Sequence, residues 1–272
     1  MIYTADSRWN PALPNPFTTD GSYGENWSSF LYDDSIPYFS NAYPDANVYV
    51  LRFSPDADIG NLRFFDFLRY ELSYGRNVIV KFCAGMNEQE ILSRFCQLGN
   101  AASYRASDGE VLVHSTTRSA WEEIKRDGAL LSPCMLRKKG QNIHEIGLTA
   151  MLEPKDYSDY VMLDMPNGCG ELVVNSRNLG YVCTDPNVSY SPGVRLYFDV
   201  KKLFSDGLVI RDGVHPVKIK DKLPLDGYLL AVISAKDFSD HIQWTPTLFT
   251  EKANELFFHT YRSDCGVSEK EV

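Results

Sequence analysis

The sequence predicts an α+β protein in which a small α/β domain precedes a half dominated by short strands. In the first half, two runs have the composition of strands and each precedes an amphipathic helical pattern: NVYVLRF before LRFFDFLRYELSYG, and NVIVKF before NEQEILSRFCQL. In the second half, short apolar runs are separated by turn residues: YVML, ELVV, VRLYFDV, LVIRDGVHPVKI and YLLAVIS. A chain of 272 residues is long enough for two such domains.

The composition of the remaining segments predicts where the domain borders lie. Residues 1–46 are rich in Pro, Asn, Asp, Ser and aromatic residues, which predicts turns and loops with one short helix near 27–32. GNAASYRASDG, at 99–109, is small and polar and is the expected junction. The N-terminal domain is therefore placed at 1–106 and the second domain at 107–238. In the last segment, 239–272, TPTLFTEKANELFFHTY predicts one helix before a frayed polar tail.

Composition excludes several classes of protein. The net charge of −9 argues against binding to duplex nucleic acid, which needs clustered Lys and Arg. The six cysteines form no C-x-x-C pair, and together with an N-terminus unlike a signal peptide they indicate a reducing, cytoplasmic location. No run approaches the ~20 apolar residues of a membrane span. The histidines and cysteines never meet at ligand spacing, so no metal site is expected.

The segment VLVHSTTRSAWEEIKRDGALL, at 111–131, carries the first candidate site residue. It predicts a strand ending on His114, a polar turn, and a helix that begins with a capping box of Ser119 and Glu122 and ends at Gly128. A histidine at a strand end is well placed to line a pocket. A buried core histidine is the competing interpretation.

Other motifs point to structure rather than chemistry. There is no G-x-S-x-G elbow and no glycine-rich phosphate loop. Cys169, between two glycines, has no base nearby in sequence and is expected to be structural. The basic triplet 137–139 is expected to be a solvated loop. By contrast His114, Arg177 and Tyr181 each stand at the end or start of a predicted short strand, which is typical of pocket residues.

Three pieces of the chain, in series over about 110–230, resemble the RNA 2′-phosphotransferases, a branch of the ADP-ribosyltransferase superfamily. VLVHSTTRSAWEEIKRDGALL is similar to their strand, His-Gly-Thr and helix segment. In SRNLGYVCT, Arg177 stands four residues before Tyr181, where the family has an arginine four residues before a histidine that opens a strand. GVRLYFDVKKLFSDGLVIRDGVHPVKIKDKLPLDGYL resembles the family's closing region. The resemblance implies a split antiparallel sheet with few helices.

The resemblance also implies NAD as co-substrate and a set of residues that bind it. His114 would donate to the nicotinamide-ribose hydroxyl, the backbone of Ser115 would pair with the carboxamide, and Thr116 would support the same turn. Tyr181 would stack on the nicotinamide ring. Arg177 would neutralise phosphate with its forked donors.

Two further roles implied by the resemblance are a ligand contact beside Arg177 and an anion near the ribose. Ser176 precedes Arg177 in the matched segment and is expected to contact the same ligand. Cleavage of the nicotinamide–ribose bond builds positive charge on the sugar, so an anion is needed nearby. Glu171 and Asp212 are the carboxylates available by position, and an anionic acceptor could also serve.

Departures from the pattern leave three functions open. His114 with Tyr181 follows the diphtheria-toxin and poly-ADP-ribose polymerase branch, but Val214 or His215 stands where a glutamate is often found. The leading expectation is transfer of ADP-ribose from NAD to a protein or nucleic acid, by analogy in a toxin or defence factor. The second is a 2′-phosphotransferase-like reaction on RNA, against which Phe53 stands where that family's N-terminal motif needs histidine. The third is a non-catalytic module that binds a nucleotide or a protein.

Overall fold

The computed structural model describes residues 1–41, 47–55, 60–98, 102–143, 155–215, 217–239 and 241–264. Two compact units divide the chain. The first comprises 1–102 together with the later segments 147–157 and 210–215, and the second comprises 103–146, 158–209 and 216–272. Both units mix helices with strands, which confirms the α+β class.

The two later segments of the first unit were not expected from the sequence, because the predicted border at 106 treats each domain as continuous. The C-terminal helix belongs to the second unit rather than to a separate segment. The predicted polar tail after residue 264 lies outside the described residues.

A five-stranded sheet with order β1-β5-β2-β4-β3 forms the centre of the first unit. Its strands are β1 Ile2–Thr4, β2 Trp27–Tyr32, β3 Phe39–Asn41, β4 Tyr49–Phe53 and β5 Asn77–Lys81. All neighbours are parallel except β3, which pairs antiparallel with β4 at one edge. The helices are α1 Gly60–Ser73 and α2 Glu88–Gln97. The two predicted strand–helix pairs are thus confirmed, but β4 and β5 both pair with β2 and not with each other.

Strand β2 corrects the expectation of a short helix near 27–32. It is the middle strand of the sheet, and alternate residues enter different apolar clusters on the two faces. Phe30 and Tyr32 pack with α1, while Leu31 packs with the chain that follows β1. A strand buried on both faces lacks the alternation of polar and apolar residues that identifies a half-exposed strand. WSSFLY carries no such alternation.

The second unit contains several small antiparallel sheets. Its strands are β6 Val111–Thr116, β7 Ala129–Leu131, β8 Tyr160–Leu163, β9 Val194–Asp199, β11 Val217–Lys220, β12 Lys222–Pro224 and β13 Leu229–Ser234. The two residues of β10, Val209–Ile210, fall on either side of the boundary between the units. One sheet has the order β13-β9-β6, β8 pairs with β11, and β7 pairs with β12. A single bridge joins Val113 of β6 to Asp164 just after β8.

Five helices accompany these sheets in the described residues, so the expectation of few helices is not met. They are α3 Arg118–Asp127, α4 Pro133–Lys138, α5 Gly170–Leu179, α6 Val200–Ser205 and α7 Pro246–Asp264. One face of the β13-β9-β6 sheet is covered by α7, because Phe257 stacks on Tyr197 at 4.1 Å between ring centroids and packs with Val113 and Ile233. The predicted C-terminal helix is therefore confirmed as part of this core.

The segment 111–131 folds much as expected, with a shifted boundary. Strand β6 continues to Thr116, two residues beyond His114, so the histidine lies within the strand. The N-cap of α3 is Thr117, whose hydroxyl accepts from the Ala120 N–H at 3.2 Å, and not the expected Ser119. Gly128 ends the helix in the left-handed conformation (φ 61°), as predicted.

The run ELVV, expected to be a strand, lies in helix α5. A short apolar run does not distinguish a strand from a buried helical turn, and the packing of Val174 with Tyr190 and Phe249 decides the outcome here. Gly180 ends α5 in the left-handed conformation (φ 76°). Tyr181 therefore follows a helix and opens no strand, contrary to expectation.

Candidate functional site

His114 is held in the β6 strand with one ring nitrogen already bonded. Its Nδ1 lies 3.1 Å from the Met162 carbonyl oxygen, which can only accept, so Nδ1 carries the proton and Nε2 is left as an acceptor. Burial lowers the pKa of His114 to about 4; the Met162 bond opposes this and the positive charge of Arg177 adds to it. A neutral His114 would accept from a ribose hydroxyl, which reverses the direction expected from the sequence.

Ser115 presents its backbone at an open strand edge. In antiparallel strands, alternate residues direct both backbone polar groups to the same side. Val113 N–H and C=O bond Asp164 at 2.8 and 2.9 Å, on the side away from β9. Ser115, two residues on, therefore points its N–H and C=O the same way, and no described residue bonds either group. This edge offers one donor and one acceptor side by side.

Arg177 places a positive charge beside His114. It lies in the last turn of α5 and makes no hydrogen bond or ion pair with any described residue. Surrounding protein atoms lower its pKa from the ordinary value, although arginine keeps its charge at any physiological pH. An arginine without a carboxylate partner is available to bind an anion.

Glu171 is fully engaged by protein groups and does not match the role of a catalytic anion. Its Oε1 accepts from the Ser115 hydroxyl at 2.5 Å and from Arg195 Nη1 at 3.2 Å, and its Oε2 accepts from the Tyr190 hydroxyl. Arg195 is completely buried and neutralises this charge. The geometry therefore corrects the expectation for Glu171: the carboxylate fixes α5 to β6 and β9.

The network around Arg195 was not expected from the sequence. Besides Glu171, the guanidinium donates to the Tyr197 hydroxyl at 3.1 Å, to the Pro166 carbonyl and to Asn254 Oδ1 at 3.4 Å. It thus joins β9, the loop before α5 and helix α7. One signal was present in the sequence, since an arginine interrupts the apolar run VRLYFDV just as a glutamate opens ELVV. Opposite charges within two buried runs indicate an internal ion pair.

The three remaining residues expected to contact the ligand are Ser176, Thr116 and Tyr181. The Ser176 hydroxyl donates to the Leu172 carbonyl at 2.7 Å and accepts from the Cys183 N–H at 2.9 Å, so it anchors the chain after α5 and is not free for a ligand. Thr116 is buried and pairs with Val194 in the sheet. Tyr181 is 61% exposed, and its stacking role remains a prediction.

Asp212 lies in the first unit, whereas the residues above belong to the second. Its Oδ1 accepts from the backbone N–H groups of Val214 and His215 at 2.9 and 2.8 Å. Burial and the Asp212 charge raise the pKa of Tyr157 well above its ordinary value. These bonds fix the turn at 212–215, and the role of Asp212 as the anion beside the ribose stays a prediction.

A separate cavity of about 340 Å³ opens at the other end of α5. It is lined by the loop at 167–169, the first turn of α5, Pro186 and the first turns of α7. Cys169 lies here, and burial and the nearby Asp164 carboxylate raise the pKa of its thiol. The thiol is therefore protonated at neutral pH and is not an activated nucleophile, in agreement with the structural role expected for it.

The described residues contain neither a metal-binding group nor a membrane-spanning helix. Across those ranges, no group of three or more His, Cys, Asp and Glu side chains is arranged to hold a metal ion. No helix within them combines the length and apolar character needed to cross a membrane. His144, one of the five histidines, lies outside the described residues.

Comparisons with known proteins gave no relative: no family model, no curated protein and no solved structure matches the chain. The candidate site thus rests on the geometry of His114, Ser115 and Arg177 alone.

Proposed function

We propose that the second unit binds NAD and transfers its ADP-ribose group to a macromolecule. The observation that carries this proposal is the open backbone edge of Ser115. A primary carboxamide has one carbonyl acceptor and an NH₂ donor, and it matches a backbone N–H beside a backbone C=O. Unpaired N–H and C=O groups at a strand edge are available to pair with an added partner, so this edge favours a ligand of complementary polarity.

The charges beside that edge support a dinucleotide over free nicotinamide. Arg177 has no anionic partner among the described residues and would bind a phosphate of the ligand. Neutral His114 would accept a hydrogen bond from a ribose hydroxyl through Nε2. Carboxamide, ribose and phosphate occur together in NAD, and each has one matching protein group here.

In the reaction, the bond between the nicotinamide nitrogen and ribose C1 breaks, and its electron pair leaves with nicotinamide. The acceptor's nucleophile forms the new bond to C1; a carboxylate or phosphate oxygen does so without losing a proton, whereas a hydroxyl releases its proton to solvent. Glu171 is neutralised by Arg195, so this proposal does not give it the task of stabilising the positive sugar. That task falls to an anionic acceptor, such as a phosphate or a carboxylate.

The first experiment measures binding of NAD to the full chain by calorimetry. Ser115→Pro removes the outward N–H, while the matched control Ser115→Ala removes only the hydroxyl. We expect NAD affinity to fall tenfold or more in the proline variant, roughly the loss of one well-made hydrogen bond, and less in the alanine variant. Arg177→Gln is expected to weaken ADP-ribose binding and leave nicotinamide binding unchanged. Circular dichroism checks that each variant is folded.

The second experiment follows labelled NAD in a cell lysate with wild-type protein and with His114→Ala. Label moving into protein or nucleic acid, and lost in the variant, supports the proposal. NAD binding without turnover would instead identify a non-catalytic nucleotide-binding module. Release of phosphate from 2′-phosphorylated RNA would identify a phosphotransferase. Absence of NAD binding in the first experiment would refute the proposal as a whole.

A further inference from the structure

The cavity at the start of α5 is lined in part by Glu171, which Ser115 and Arg195 already engage, but none of the groups proposed to bind NAD lines it. We propose that it binds a basic side chain, lysine or arginine, presented by a protein partner. The proposal does not rest on the NAD site, because Arg177 lies six residues further along α5, about 9 Å along the helix axis.

The charged groups at the cavity are negative. No Lys, Arg or His lines it. Glu251 of α7 lines it and makes no hydrogen bond or ion pair with the described residues; its basic neighbour on the helix, Lys252, pairs instead with Glu255 at 2.8 Å. A carboxylate left without a partner at the mouth of a cavity favours a cationic ligand.

A second carboxylate adds to the negative potential. Asp164 accepts from the backbone N–H groups of Met165 and Cys169 at 2.8 and 3.0 Å, bonds that orient the carboxylate without neutralising it. It lies directly behind Gly168 of the cavity wall, where an added Cβ would fall 2.0 Å from the carboxylate oxygen. The raised pKa of the Cys169 thiol is consistent with this negative surrounding.

The walls fit the aliphatic part of a basic side chain. Leu172, Pro186 and Pro246 supply apolar surface between the polar groups. Lysine and arginine bury their methylene stems against such surface while the charged head reaches a carboxylate. A volume of about 340 Å³ is at the small end of ligand sites, which suits one side chain better than an extended ligand. Nucleic acid is disfavoured, since its phosphates require cationic side chains.

Cys169 provides a reporter inside the cavity. The full chain is treated with two methanethiosulfonates of similar size, one carrying trimethylammonium and one carrying sulfonate, and the adduct at Cys169 is quantified by peptide mass spectrometry. We expect the cationic reagent to react faster at Cys169 than the sulfonate, by more than the same ratio measured on free cysteine. Glu251→Gln is expected to reduce this preference about two- to fivefold, the strength of one exposed ion pair. Glu255→Gln is the matched control, one turn further on the same helix, and should leave it unchanged.

Agmatine, which ends in a guanidinium, then tests binding directly. It should slow modification of Cys169 in the wild type and in Glu255→Gln, and lose that effect in Glu251→Gln. Butanol, a neutral molecule of similar stem, should give no protection. Equal rates for the two reagents after correction, or agmatine protection that survives Glu251→Gln, would overturn the proposal. Neither readout depends on NAD, so a failed transfer reaction leaves this test unaffected.

Discussion

Replacing Arg195 with methionine removes the positive charge that faces Glu171 and keeps most of the side-chain volume. Both groups are buried, with side-chain exposures of 0% and 2%, so the substitution leaves an uncompensated carboxylate inside the protein. Breaking a buried ion pair in this way costs about 3–5 kcal/mol. For a unit of this size that corresponds to a fall in melting temperature of roughly 6–20 °C.

The assay is urea unfolding followed by near-ultraviolet circular dichroism, with hydrogen exchange used to assign the loss to the second unit. Because two units unfold, a single transition is not assumed. Lys202→Met is the control, since its pair with Asp206, at 2.9 Å, lies at the surface, where solvent screens the charges and the loss should be small.

The single variant Glu171→Leu and the double variant Arg195→Met with Glu171→Leu complete the cycle. Removing both charges together should restore part of the stability that the single variant loses, because no buried ion is left without a partner. If Arg195→Met costs less than about 1 kcal/mol, or if the double variant is simply additive, the description of this pair as a tightly coupled buried network is wrong.

Three further outcomes are expected. The pKa of His114 is lowered to about 4 in the folded state, so the unfolded chain binds more protons between about pH 4 and 6.5. The unfolding free energy should therefore fall as the pH is lowered from about 6.5 to 4, by at most about 3 kcal/mol, and His114→Asn should flatten this dependence in urea titrations. Gly193→Ala places a Cβ 1.9 Å from the Thr116 carbonyl oxygen and should lower the unfolding free energy by about 3 kcal/mol. Gly180→Ala, where only the positive φ is strained, should lower it by about 1 kcal/mol. Similar losses for the two variants would contradict the close approach at Gly193. Iodoacetamide at pH 8 should alkylate Cys169 more slowly than a free cysteine, as read by mass spectrometry, and a faster rate would contradict its raised pKa.

Local patterns predicted the elements whose signals lie within a few residues of one another. Helix α3 is recognisable because a polar turn precedes an amphipathic pattern and Gly128 follows it. Its N-cap was misplaced by two residues because Ser119 and Glu122 have capping-box spacing, while the competing cap, Thr117, lacks an acidic partner three residues on. Strands β9 and β13 were also found from composition, since each is an apolar run between turns.

Features that depend on contacts between residues far apart in sequence could not be predicted from local patterns. Strand β2 and helix α5 have similar short apolar runs, and only their neighbours in space decide that one is extended and the other helical. At the candidate site, the sequence singled out His114 and Arg177, and in the structure they lie close enough for the charge of Arg177 to lower the pKa of His114. The pairing of Glu171 with Arg195 was missed: the two residues lie 24 positions apart, and the only signal was a charge within each of two apolar runs.

The first unit is completed by two segments that lie far from its sheet along the sequence. Arg76 bonds Asp156 at 2.7 Å, and Arg63 bonds the carbonyl oxygens of Gly213 and Val214 at 3.2 and 2.7 Å. A truncation near residue 106 would therefore remove these partners from the N-terminal fragment. The C-terminal fragment would carry two segments, 147–157 and 210–215, that have lost the unit they pack in. Because the two units are interleaved in the sequence, no single cut of the chain yields both of them intact.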